Sequence, residues 1–257
     1  MTRIAGHQVI KAPCCGERLS TVAFSSLNFM ANEHWTDGRA VGSLSPTDGG
    51  LRRCTCGSYF LLSQSESLEL IRKKEPVREI TRSLQIEAWL RRKSGETTTQ
   101  AMERLFGVRQ VTAIEAIQIP IPPVAERVSD SELPELLATN FTDHEMLIVA
   151  RRRYWRCLND GYRAVYRTHK DTSPETYPAY EPSTVQIDNM LRLMLMLEEI
   201  PPSNFFEIVE LHRELGEPEK ALKILSAIKD QTNVFARISY ELIAAGSSGP
   251  ARYRPNA

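Results

Sequence analysis

The chain has 257 residues, 42% of them apolar, which allows one or two domains with a buried core at about 150 residues per domain. Its 32 Lys and Arg balance 32 Asp and Glu, so no global field draws it toward nucleic acid or anionic lipid. The N-terminus lacks the apolar run of a signal peptide, and the longest apolar run, from Leu191 to Leu197, is broken by Arg192 and too short to span a bilayer. These features predict a soluble, cytoplasmic protein with no membrane partner.

Residues 8–62 read as short strands and turns. Val9-Ile10, Val22-Ala23-Phe24 and Tyr59 to Leu62 supply the strands, and Thr36-Asp37-Gly38 and Thr47-Asp48-Gly49-Gly50 the turns. Residues 66–106 are charged, with Leu68, Ile71, Ile80, Leu84, Trp89 and Leu90 spaced for one or two helices, a break near Pro76 and a turn over 95–99. Ile119-Pro120-Ile121-Pro122-Pro123 continues neither a helix nor a central strand, so it is a boundary or a strap across a surface. Ser129 to Glu132 opens a short helix through Ala138. Thr142 or Asp143 caps a stronger one to Leu158, which Asn159-Asp160-Gly161 stops. Residues 168–184 carry three prolines and read as a loop; helical periodicity then runs in four pieces over 185–245, ahead of a frayed tail. The expected fold is α+β and mostly α. It comprises a β module over 1–65, a charged helical connector with its proline strap over 66–125, a helical domain over 126–246 and a disordered tail over 247–257.

Four of the five cysteines fall in the first module. In a reducing compartment such clustering favours metal ligation over a disulfide or redox role. Zinc takes a tetrahedron of thiolates or imidazoles, and a Cys-x-x-Cys-Gly turn points two sulfurs at one ion, the glycine permitting positive φ. Here both turns depart from that pattern. The first reads Ala12-Pro13-Cys14-Cys15-Gly16, with alanine where the first cysteine belongs, and the second reads Cys54-Thr55-Cys56-Gly57, one residue short. Two readings therefore stand side by side. In one, zinc is held by Cys15, Cys54 and Cys56 with Cys14 or His7 as fourth ligand. In the other, a ribbon without its metal is held by packing alone, because adjacent cysteines seldom share an ion and a one-residue gap strains the turn.

Pro13-Cys14-Cys15-Gly16, Trp35-Thr36-Asp37-Gly38 and Cys54-Thr55-Cys56-Gly57 with Tyr59-Phe60 together resemble a group of bacterial proteins with a zinc-ribbon-like N-terminus. The resemblance covers about a fifth of the chain and implies an architecture, with no activity attached to it. Trp35 and His34 read as core of this module before they read as a stacking pair or a ligand.

In the second half, Phe205, Ile208, Val209, His212 and Leu215 share one helical face, and Ala221, Leu222, Ile224, Leu225 and Ile228 form the stripe opposite. Gly216 ends the first helix and Pro218 opens the second. Leu215-Gly216 with Ala221-Leu222 resembles one tetratricopeptide repeat, which implies a helical hairpin and a concave groove for a protein partner. A plain antiparallel bundle with one such hairpin fits the same residues. His212 lies on the packing face and reads as a hydrogen-bonded core histidine.

Arg151-Arg152-Arg153-Tyr154-Trp155-Arg156 is the local basic excess, and its interleaved aromatics resemble a nucleic-acid stacking surface. Trp155 also falls in register with Leu147, Ile148 and Leu158, as core does. The five histidines are scattered, and neither a nucleophile elbow nor a phosphate loop occurs. The sequence therefore favours a non-catalytic adaptor that binds a protein partner through its helical groove, over an enzyme. The alternative is a nucleic-acid-associated zinc-ribbon factor using the ribbon and Arg151 to Arg156.

Overall fold

A computed structural model describes residues 3–26, 31, 33–42, 49–72, 82–106, 120–139, 143–168, 174–200, 204–228 and 233–253. The expectations at Thr47, Asp48, Pro76, Ile80, Ile119 and Thr142 lie outside these residues, as does the side chain of Leu84.

The N-terminal part is built on hairpins. β1 (Arg3–Lys11) folds back on β2 (Arg18–Ser26) with Lys11 opposite Arg18, and its other edge takes β7 (Glu66–Arg72) antiparallel. The segment from Glu66 to Arg72, expected to be helical, is thus a strand. Leu68 and Leu70 alternate with Ser67 and Glu69, a period of two, and the open edge of β1 satisfies the backbone groups of such a segment. A second hairpin joins β5 (Leu51–Arg53) to β6 (Tyr59–Leu61), and β5 also pairs with β8 (Glu126–Arg127).

The proline segment straps the two hairpins together. Proline has no N–H to donate, but its carbonyl is intact. Pro123 accepts from the Ser20 N–H at 2.8 Å, Pro122 accepts from the Ser20 hydroxyl at 2.9 Å, and the Ala125 N–H returns a bond to Ser20 at 2.8 Å. Beneath the hairpin tips lie Ile10, Ala12, Leu19, Cys54, Phe60 and Ala125.

A third small sheet links the two ends of the chain. β3 (Glu33–Trp35) turns through Thr36-Asp37-Gly38 into β4 (Ala40–Val41), and its free edge takes β9 (Arg252–Tyr253). The tail expected to fray is therefore docked as far as Tyr253. Pro250 and Ala251 are buried, and Ala251 accepts from the Thr36 N–H at 2.9 Å.

The helical part shares its core with these sheets. Leu51, Leu61 and Val128 pack with Leu133 and Leu136 of α3 (Leu133–Ala138) and with Met146 and Ala150 of α4 (His144–Leu158). The β5–β6 hairpin thus buries its apolar face against α3 and α4. Asp143 caps α4 by accepting from the Met146 N–H at 2.9 Å. Asn159 ends α4, but α5 (Asp160–Thr168) follows at once, so the expected stop is a corner. α6 (Thr184–Glu198) lies along α4, with Trp155, Met190, Leu193, Leu197 and Leu211 in one cluster.

α7 (Phe205–Glu214) and α8 (Pro218–Ala227) form a hairpin through Gly216, whose φ of +74° is the left-handed region glycine tolerates. α9 (Val234–Ala244) closes over them, with Val209, Ala221, Leu225 and Ala236 buried between. Between β7 and β8 in sequence, α1 (Arg82–Leu90) and α2 (Thr98–Phe106) pack on each other. The fold is α+β and mostly α. Among the described residues, no helix is long and apolar enough to cross a membrane.

Candidate metal centre

Each of the first two hairpins carries two cysteines at its tip, and the tips meet. In the first, the Gly16 N–H donates to the Ala12 carbonyl at 2.9 Å; in the second, the Gly57 N–H donates to the Cys54 carbonyl at 2.9 Å. Both glycines sit at positive φ, +75° and +87°, so each turn reverses tightly enough to bring its sulfurs forward. Cys14 Sγ lies 3.5 Å from Cys56 Sγ, Cys15 Sγ 3.5 Å from Cys54 Sγ, and the adjacent pair 3.9 Å apart. All four sulfurs fall within 4.8 Å of one another. A tetrahedral ion with metal–sulfur bonds of about 2.3 Å sets its sulfurs about 3.8 Å apart, so the cluster has the size of a tetrathiolate site.

The irregular spacing that weakens the sequence pattern is accommodated by crossing. Cys14 and Cys15 are not two ligands on one turn of standard form; each faces a different cysteine of the opposing hairpin. His7, the other candidate fourth ligand, is not brought there. It pairs with Val22 and Ile71 in mid-strand, roughly 13 Å back from the end of β1 at ~3.3 Å per residue. Cys157 is half-buried on α4, away from the cluster.

The thiols perturb one another. Burial, followed by the neighbouring thiols of Cys56, Cys54 and Cys15, pushes Cys14 up to about 12. The Ser58 hydroxyl and backbone pull Cys56 down to about 6. The Glu17 backbone pulls Cys15 down while the Cys54 thiol pushes it up, with a net rise. Crowded thiols of this kind do not all ionise unless a cation offsets their charge. The arrangement fits a metal ion.

The chain matches no protein-family model, no curated protein and no solved structure.

The basic run is turned inward. Arg152 makes a two-pronged pair with Glu207 at 2.6 and 2.7 Å, and Arg153 reaches Asp130 at 2.6 Å and the Val128 carbonyl at 2.9 Å. Arg151 contacts the Asn189 side chain, and Arg156 donates from Nε to the Asp37 carbonyl at 2.9 Å. None of residues 151–156 is exposed, and Trp155 is fully buried. This run holds helices and the Asp37 turn together.

Sequence reasoning missed the buried polar network around that turn. Asp37 is ion-paired with Arg163, both fully buried as side chains, and accepts from Asn159 at 3.1 Å. Thr36 donates to Glu210, and Arg213 holds Glu210 at 2.5 and 2.9 Å while donating to the carbonyls of Ser247 and Gly249. Trp35 lies beneath the Arg163 guanidinium and edge-on to Tyr166, so it is core, though core shared with α5. The signal was in plain view as Trp35-Thr36-Asp37-Gly38, but its partners lie up to 215 residues away.

Glu214 completes this network with neutral donors: Trp155 Nε1 at 2.7 Å, Asn159 Nδ2 at 3.1 Å and the Tyr180 hydroxyl at 3.1 Å. Burial, with Glu210 and Asp37 nearby, raises its carboxyl from 4.5 to about 8. The folded state then holds a proton that the unfolded chain releases, so stability falls as pH climbs from 4.5 to about 8 and is level above. Glu214→Gln should remove this slope and leave the variant more stable than wild type at pH 9, as urea denaturation across pH 5–9 would report. Parallel slopes in the two proteins would refute the assignment.

Proposed function

We propose that the protein is a zinc-stapled, non-catalytic adaptor whose metal fixes the two N-terminal hairpins and whose helical part binds a protein partner. The spacing of the Cys14, Cys15, Cys54 and Cys56 sulfurs carries the metal half of this reading, because it matches the edge of a tetrathiolate tetrahedron. Cysteine-only ligation selects zinc among the divalent ions that keep such a geometry without redox chemistry. A site with four protein ligands leaves no open position for substrate, which supports a structural role.

The helical half of the reading rests on α7, α8 and α9 as a tetratricopeptide-like unit. Its inner polar face is already filled by the chain itself: Thr36 takes Glu210, the carbonyls of Ser247 and Gly249 take Arg213, and Trp155, Asn159 and Tyr180 take Glu214. The partner surface we assign is therefore the outer side of α6, where Leu191 and Leu195 are 41% and 60% exposed.

Zinc counted per chain, in protein purified under reducing conditions without chelator, tests the first half. We expect near-stoichiometric metal in the wild type and in Cys157→Ser, and none in Cys56→Ser. A photo-crosslinker at position 195 in the native host tests the second; a discrete protein adduct supports the surface, and its absence with crosslinker incorporated argues against it.

A further inference from the structure

Beside the buried network a pocket of about 230 Å³ opens between the Asp37 turn, α4 and the first turns of α7 and α9. Its apolar wall is Trp155 with Phe206 and Phe235, whose rings stand 5.4 Å apart. Its polar lining is Gly38, Arg156 and Asn204 together with Thr36, Asp37 and Glu207.

The charges of this lining are unevenly spent. Glu207 gives both carboxylate oxygens to Arg152. The Asp37 carboxylate is taken by Arg163, Asn159 and the Arg39 N–H. Thr36 is taken by Glu210 and the Ala251 N–H, and Trp155 by Glu214. Arg156 uses Nε on the Asp37 carbonyl and, among the described residues, pairs with no carboxylate. Asn204 stands at the N-terminal end of α7 and makes no side-chain capping bond. Among the described residues, a guanidinium fork bonded only through Nε and a side-chain amide with no capping bond thus line one small aromatic cavity.

We propose that this pocket binds a small carboxylic acid bearing an aromatic or bulky apolar group. The carboxylate would take the two-pronged bond of the Arg156 guanidinium and a further bond from the Asn204 amide, and the apolar group would lie against Phe206 and Phe235. The volume lies below the range of about 300–1,000 Å³ usual for drug-sized ligands, which limits the occupant to a small acid. Gly38 keeps the fork in place, since a Cβ there would come within 2.6 Å of Arg156 Nη2 and its φ is +78°. The site is distinct from the metal centre and from the α6 surface, so it stands or falls independently of both.

The experiment is a titration of the full-length, ¹⁵N-labelled protein with phenylacetate and, in parallel, with its neutral isostere phenylacetamide. Phenylacetate should give saturable shifts at Gly38, Asn204 and Phe206, and the amide should bind at least tenfold more weakly. Asn204→Ala, at a helix end without a capping bond to lose, should weaken the acid several-fold with the remaining spectrum unchanged, and Arg156→Gln should abolish its binding. Because Arg156 also supports the Asp37 turn, the acid-to-amide contrast and Asn204→Ala decide the matter if that variant does not fold. No saturable shift at these three residues, equal binding of acid and amide, or unchanged affinity in Asn204→Ala would overturn the proposal.

Discussion

Cys56→Ser should melt well below the wild type and at the same temperature as wild type treated with a strong chelator. Cys56 is exposed at a hairpin tip, so its replacement removes no core packing and its effect should run through the metal. Small metal fingers draw about 10–16 kcal/mol of apparent binding energy from zinc and do not fold without it. Here Ile10, Leu19 and Phe60 pack beneath the tips and the Ser20–Pro123 strap ties the hairpins, so part of the module survives alone. A loss on the order of 5 kcal/mol follows, which for a chain of this size corresponds to roughly 10–20 °C. Calorimetry with and without chelator reads it, and the chelator should change nothing further in the variant. Full zinc in Cys56→Ser would remove Cys56 from the ligand set, and zinc loss without a change in melting would deny the metal a structural role.

The cysteine cluster was legible in part because a candidate ligand announces itself by residue type. Cysteines beside Cys15-Gly16 and Cys56-Gly57 mark thiolates on tight turns whatever their spacing. Cys15, Cys54 and Cys56 were legible as a set with Cys14 or His7 beside them, but how they pair was not, since crossing between Cys14–Cys56 and Cys15–Cys54 depends on how two hairpins face each other. The helices followed from periodicity and caps, as Asp143 shows. β7 was misread because Leu68, Leu70 and Ile71 serve either period, and only the vacant edge of β1 decides between them. The docking of β9 on β3 had no local signal, because residues near Trp35 and Arg252 pair across almost the whole chain. Arg151 to Arg156 carried a legible charge, but not the distant Glu207 that takes both prongs of Arg152.

Asp37→Asn should be the most damaging single change remote from the cysteines. Arg163 is fully buried and, among the described residues, its Nε has no partner, so its charge rests on Asp37 and on the half-exposed Asp160. Removing one member of a buried pair strands the other, at about 3–5 kcal/mol, more than the pair itself contributes. Arg163→Met should cost a similar amount by stranding Asp37. The double variant Asp37→Asn/Arg163→Met should then be far less destabilised than the two losses added together, since neither charge is left alone. Urea denaturation of the four proteins gives the cycle; additive losses would mean that the two side chains act separately. The same substitution bears on Glu214, because Asp37 is one of the carboxylates that hold its proton on. With Asp37 neutral, the fall in stability with rising pH should end at a lower pH than in the wild type. A structural defect unrelated to charge would lower stability by the same amount at every pH, so the displaced end point is the result that ties the Asp37 turn to α7 through electrostatics.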